Sequence, residues 1–163
     1  MEITQESMNL LVREYSDTVL RVAYTYLKNK ADAEDVMQDL FLNIIDKNPE
    51  FNDKKHEKLW IIRSTVNLCK NRVSSFWNKH KCSIDDVREM SVCDNYNEDS
   101  DVFKAVMDMP EKYRIAVYMF YYEGYSTAEI SKITGKNDAT VRSYLRRARE
   151  RLKNVLKEEY DFE

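Results

Sequence analysis

Residues that break regular structure are scarce in this chain, and their positions constrain its fold more than any other feature. Two glycines and two prolines punctuate 163 residues. All four fall where helices should start or stop: Pro49 after Asn48, Pro110 after a periodic stretch, Gly124 ahead of a serine, and Gly135 between two apolar-periodic runs. Long stretches with breakers only at their boundaries predict an all-α fold.

The composition, 43% hydrophobic with 34% charged, is that of a globular protein and not of a disordered or membrane one. No charged, apolar and small-residue succession marks a secretory leader. The longest apolar run, Ile115 to Tyr122, is far shorter than a bilayer crossing, so the expectation is a cytoplasmic protein without membrane insertion. Cys69, Cys82 and Cys93 are odd in number and lack CxxC spacing, which argues for reduced thiols rather than a disulfide framework or a zinc site. His80 and Cys82 lie close in sequence, but two ligands do not make a structural metal site. The expectation is no metal and no cofactor.

Periodicity divides the chain into two small helical domains joined by an acidic linker, with expected bounds 1–82, 83–101 and 102–163. Within 83–101, seven acids face one arginine and no helical stripe persists, although a short helix over Asp85 to Met90 also fits. In the first block, Leu10, Leu11, Tyr15, Val19, Val22 and Tyr26 recur at helical spacing. Asp32 then restarts a helix that runs to Lys47. Seven of the ten residues from Val36 to Ile45 are apolar, more than one face of a small bundle hides. Asp32, Asp35 and Asp39 line one side of it, with Phe41 and Ile45 flanking the carboxylates. Such a row reads as a protein-docking surface; the same spacing fits a fully buried helix with solvated ends. Catalysis by these carboxylates has no support, because no histidine, glycine loop or nucleophile motif accompanies them.

A third helix, from about Glu57 to Lys79, is basic. Residues 54–81 hold eight Lys or Arg against Glu57 alone, and Trp60, Phe76 and Trp77 interleave with Arg63, Asn67, Lys70, Asn71 and Arg72. Stacking faces beside phosphate partners suit an opened nucleic-acid strand. Trp60 is expected to turn inward, because Ile61, Ile62, Val66, Leu68 and Val73 need companions.

The second block ends in a helix-turn-helix outline. Ser126 with Glu129 makes a capping-box signature, Ile130 and Ile133 supply an inward stripe, and Gly135 stops the helix. After Asn137 or Asp138 as cap, Val141, Leu145, Ala148 and Leu152 recur as one buried face. Arg142, Arg146 and Arg149 form a row on the other side, with Ser143 and Arg147 beside it. From Lys136 to Lys157, eight Lys or Arg stand against two acids, too lopsided for a surface laced with salt bridges. The planar fork of arginine grips phosphate or a guanine edge with two hydrogen bonds. The net charge of −3 hides these basic patches behind the linker and the acidic tail.

The succession DAEDVMQDLFLNII, EKLWIIRSTVNLCKNRV, an acidic linker, MPEKYRIAVYMFYYEGYSTAEISKITG and ATVRSYLRRARERL resembles an extracytoplasmic-function sigma factor of bacterial RNA polymerase, from about Tyr15 to Leu156. Several motifs in the family's order are more specific than a lone helix-turn-helix. The resemblance implies that the first block is the family's second conserved region and the last block, a four-helix helix-turn-helix domain, its fourth. It implies that Asp32, Asp35, Gln38, Asp39 and Phe41 dock on core polymerase. Arg63, Asn67, Lys70, Asn71 and Arg72 would trap the melted minus-ten strand, and Thr140, Arg142, Ser143, Arg146 and Arg147 would read the minus-thirty-five element. Core RNA polymerase, promoter DNA and an anti-sigma factor are the implied partners, and no catalytic residue is implied. Lys136 and Ala139 depart from the family's usual aliphatic residue and glycine, so the motif leaves the start of the recognition helix open. The alternative is a stand-alone helix-turn-helix regulator, which binds a two-fold operator without polymerase.

Overall fold

The computed structural model describes the backbone of residues 4–79 and 101–160, with the side chains of 4–75 and 101–155, and divides the chain into two units, Met1–Val92 and Cys93–Glu163. Among the described residues all regular structure is helical, as the scarcity of breakers leads one to expect. The linker, the short helix expected over Asp85 to Met90, Phe76, Trp77, His80, Cys82, Cys93 and the acidic tail lie outside the residues whose side chains are described.

In the first unit, α1 (Gln5–Leu27) opens on a reciprocal cap: the Ser7 amide donates to Thr4 Oγ1 at 3.1 Å and the Thr4 amide to Ser7 Oγ at 2.9 Å. It ends where Lys28 turns left-handed, at φ 58°. Helix α2 (Lys30–Lys47) begins two residues before the expected Asp32, because Asn29 is the cap and accepts from the Asp32 amide at 2.9 Å. Asn48, left-handed at φ 44°, closes α2 ahead of Pro49. Helix α3 (Lys54–Lys79) also starts early, since Asp53 Oδ1 accepts from the His56 amide at 2.7 Å.

The three helices close on Tyr15, Val19, Leu40, Phe41, Ile44 and Ile61, with Trp60 and Leu68 packed against that core. Trp60 turns inward, and Phe51 meets it edge-on at 5.6 Å. Cys69 is buried and forms no disulfide among the described residues. Leu10 does not join the α1 stripe: it is 59% exposed.

The second unit comprises α4 (Asp101–Met107), α5 (Glu111–Val117), α6 (Thr127–Thr134) and α7 (Asp138–Tyr160). Helix α5 runs on into a π-helical segment, Tyr118–Tyr122, after which the Glu123 amide donates back to the Tyr118 carbonyl at 3.2 Å. Arg114 is buried and donates through Nη1 to the Met109 carbonyl at 2.9 Å, satisfying the turn that joins α4 to α5. Helix α6 carries both capping-box bonds, Glu129 N to Ser126 Oγ and Ser126 N to Glu129 Oε1, each at 3.1 Å. Gly135 ends it at φ 79°, a left-handed conformation that glycine adopts without steric cost. Of the two available caps for α7, Asn137 is used: its Oδ1 accepts from the Thr140 amide at 2.8 Å. Val141, Leu145 and Ala148 are buried and Leu152 is half-buried, which fixes the inner face of α7.

Candidate functional site

Helix α2 presents one continuous surface face. Asp35, Gln38, Asp39, Leu42, Ile45 and Asp46 are exposed and recur at steps of three and four, so they align along one side of the cylinder. Asp32 is half-buried at its N-terminal edge. Phe41 is not part of this face. It is 9% exposed and belongs to the core, correcting its expected place beside the carboxylates. The apolar groups that border the acids are Leu42, 58% exposed, and Ile45, 53% exposed. Leu42 was legible as the residue seven after Asp35, but the apolar excess of α2 masked which side was covered. Large apolar groups left in water beside a carboxylate row are what a protein-docking surface requires.

Helix α3 carries a polar stripe. Arg63, Asn67 and Asn71 are exposed and Lys70 is half-buried, at spacings that bring all four to one face. Arg72 is elsewhere: its Nη2 donates to Asp32 Oδ1 at 2.7 Å and to Asp35 Oδ2 at 3.0 Å. Burial disfavours the Arg72 charge, and the two carboxylates more than offset that, so its pKa lies above the ordinary guanidinium value.

The start of α3 is tied to α1. The Tyr15 hydroxyl donates to Glu57 Oε1 at 2.7 Å, and Lys54 Nζ bridges Glu14 and Glu57 at 3.1 Å each. Those two acceptors raise the Lys54 pKa. Beside this network lies an open cleft of about 550 Å³, walled by Leu10 and Leu11 of α1 and by Asn48, Pro49, Glu50 and Phe51 of the connection to α3. The Asn48 side-chain oxygen is buried there without a hydrogen-bond partner among the described residues.

In the second unit, α7 turns Arg142, Arg146 and Arg147 outward, with Ser143 and Thr140 half-buried beside them. The arginines are not equivalent. Arg142 Nε pairs with Asp138 Oδ2 at 3.1 Å. The Arg147 guanidinium beside the Tyr113 hydroxyl lowers its pKa, with Lys112 and Arg151 adding to the effect. Arg149 leaves the expected row: its Nε donates to the Tyr121 hydroxyl at 2.6 Å, and its guanidinium lies 5.7 Å from the Phe120 and Tyr121 ring centres. Arg146 has no such partner among the described residues. It lies about 130° round the helix from the Val141, Leu145 and Ala148 face, between Arg149 and Arg147, on the side that a helix laid in a major groove turns to the bases.

Comparison with known proteins bears on both units. Residues 11–78 match the model of Sigma-70 region 2, and residues 101–152 that of Sigma-70, region 4. The chain is 28% identical over 159 residues to the ECF RNA polymerase sigma factor SigE of Mycolicibacterium smegmatis, covering 92% of this chain and 62% of that protein's length. It is 27% identical over 166 residues to the ECF RNA polymerase sigma-E factor of Escherichia coli, covering 92% of this chain and 86% of the relative. Its fold is similar to that of the sigma factor RpoE in a complex with the anti-sigma factor NepR from Bartonella quintana: TM-score 0.76, 21% identity, 93% of this chain and 98% of that one. It is also similar to CnrH in a complex with the cytosolic domain of CnrY, with TM-score 0.63, 17% identity, 94% of this chain and 90% of that one.

Proposed function

The chain belongs to the sigma-70 family, in its extracytoplasmic-function group, and from that premise we propose that it brings core RNA polymerase to a promoter by three surfaces. The face of α2 formed by Asp32, Asp35, Gln38, Asp39, Leu42 and Ile45 docks on the polymerase core. The α3 stripe of Arg63, Asn67, Lys70 and Asn71 holds the opened minus-ten strand, with the neighbouring cleft at Asn48–Phe51 to receive an unstacked base. Thr140, Arg142, Ser143, Arg146 and Arg147 of α7 read the minus-thirty-five element. The first region occupies residues 1–82, the linker 83–101 and the second region 102–163. The protein works in the cytoplasm, where polymerase and promoter are, and performs binding and strand capture rather than a reaction of its own. An anti-sigma factor binds it and holds it silent; the similar Bartonella quintana sigma factor is found in a complex with an anti-sigma factor.

The exposed acidic and apolar face of α2 is the observation that carries this reading. A stand-alone regulator has no use for Leu42 and Ile45 in water beside Asp35 and Asp39, whereas a subunit that acts from a larger enzyme does. The same face explains how an acidic chain works on DNA: the core enzyme supplies nonspecific affinity, and this subunit adds base readout.

A gel-shift on promoter DNA, with and without core polymerase, tests it. A specific complex is expected only when core is present. Specific binding by the chain alone to a two-fold site would establish the stand-alone regulator instead.

A further inference from the structure

Arg72 is separated by geometry from the residues with which its sequence context groups it. At about 100° per residue, Arg63, Asn67, Lys70 and Asn71 fall within a sector of roughly 100° around α3, and Arg72 points about 150° from the middle of that sector. Its guanidinium meets α2 instead, where one nitrogen serves both Asp32 and Asp35. We propose that Arg72 is a positioning residue for the polymerase-docking face, acting through Asp32 and Asp35 and making no contact with the promoter strand. The inference rests on the reading of α2 as that face.

Asp32 and Asp35 are three residues apart on one helix, so their carboxylates are neighbours of like charge that repel and spread when nothing joins them. A cation shared between them removes the repulsion and fixes both. Arg72 takes Oδ1 of Asp32 and Oδ2 of Asp35, and leaves the second oxygen of each as an acceptor. The Asp32 and Asp35 side chains are 40% and 55% exposed, so those remaining acceptors face water at a set position. A donor on the partner then meets two carboxylates already ordered, and the association loses less side-chain entropy than it would with free rotamers. The link also has a mechanical side. Arg72 comes from α3, 40 residues from Asp32 and 37 from Asp35, so it ties the docking helix to the helix that bears the strand-holding stripe.

The test is a titration of the full chain with core polymerase, followed by binding of a single-stranded minus-ten oligonucleotide to holoenzyme assembled at saturating core. Arg72→Ala is expected to weaken core binding about fivefold, the upper range for a part-exposed charge pair, and to leave strand affinity within about twofold. Arg72→Lys, which keeps one charged nitrogen within reach of both acids, restores core affinity and separates loss of the bridge from loss of the fold. In an Asp32→Ala/Asp35→Ala background, titrated at higher core concentration, removal of Arg72 adds no further loss. Unchanged core affinity with weakened strand binding would overturn the inference, as would an undiminished further loss in the double-alanine background. Gln38→Ala and Asp39→Ala tell the two failures apart. If they weaken core binding and Arg72→Ala does not, this inference falls alone; if they too leave core binding intact, the docking reading falls with it.

Discussion

Helices α3 and α7 differ in what their arginines are tied to. On α3, Arg72 is spent on two carboxylates of its own unit, and the outward stripe is left with Arg63, Lys70 and the amides of Asn67 and Asn71. On α7, Asp138 takes Arg142, but aromatic groups hold the arginines at both rims, Tyr113 beside Arg147 and Tyr121 beside Arg149, while Arg146 stands between them. A carboxylate cancels the charge it fixes. A ring or hydroxyl fixes a guanidinium and leaves its charge in place. Under the proposed roles, α7 thereby keeps, apart from Arg142, the field that attracts phosphate for reading a duplex, and α3 gives part of its charge away and relies on amides suited to base edges.

The contrast depends on α7 being held rigidly from below, and the largest effect should come from removing that support. Leu145 is 2% exposed, so Leu145→Ala should cost about 2–5 kcal/mol through lost burial and the cavity left behind. Amide hydrogen exchange should show the loss over 101–155 and unchanged protection over 4–75. Equal loss in both units would break the division on which the comparison stands.

Next in size is base readout. Arg146→Ala should cost about 1–3 kcal/mol in promoter binding by holoenzyme and lower the salt slope by about one ion. Arg142→Ala should cost less, because Arg142 must first give up Asp138 to reach DNA. Titrations at several salt concentrations on matched and mismatched promoters measure both. A larger loss for Arg142 than for Arg146 would reverse the ranking drawn from their partners.

How much of this was legible follows the range of the contacts. The Ser126–Glu129 cap, the stop at Gly135, the inner face of α7 and the outward stripe of α3 are all set within one or two helical turns, and spacing alone points to them. Phe41 and Leu42 are different. In a helix as rich in apolar residues as α2, several faces are greasy enough to be buried, and only packing against α1 and α3 decides that Phe41 goes inside and Leu42 stays out. The Arg72 bridge joins residues 37 and 40 positions apart, and no local pattern encodes it. Buried Arg114 and the π-helical segment at Tyr118–Tyr122 likewise depend on how the chain closes around them, and an apolar run such as Ile115 to Tyr122 carries no sign of either.

A smaller effect tests whether the rim arginines are structural. Arg149→Ala removes the bond to Tyr121 and its ring contacts, for a loss of about 0.5–1 kcal/mol in the stability of the second unit at a largely exposed site. Its effect on the salt slope should be far below that of Arg146→Ala. A slope change of similar size would make Arg149 a phosphate contact and return it to the row suggested by spacing.

The smallest effect, absent at neutral pH, concerns the residue where the π-helical segment hands over to α6. Tyr125 is buried, and burial, with Glu123 and Glu129 nearby, raises its pKa to about 12. An unfolded tyrosine loses its proton near pH 10, so between about pH 10 and 12 the unfolded chain ionises at this position while the folded one does not. Stability from this group is therefore complete below pH 10 and is lost as pH rises toward 12. Tyr125→Phe should melt like the parent at pH 7 and lose less stability across the alkaline window. Parallel loss in variant and parent would mean that the hydroxyl is solvated in the folded state, and that the junction ahead of the helix-turn-helix is looser than its burial indicates.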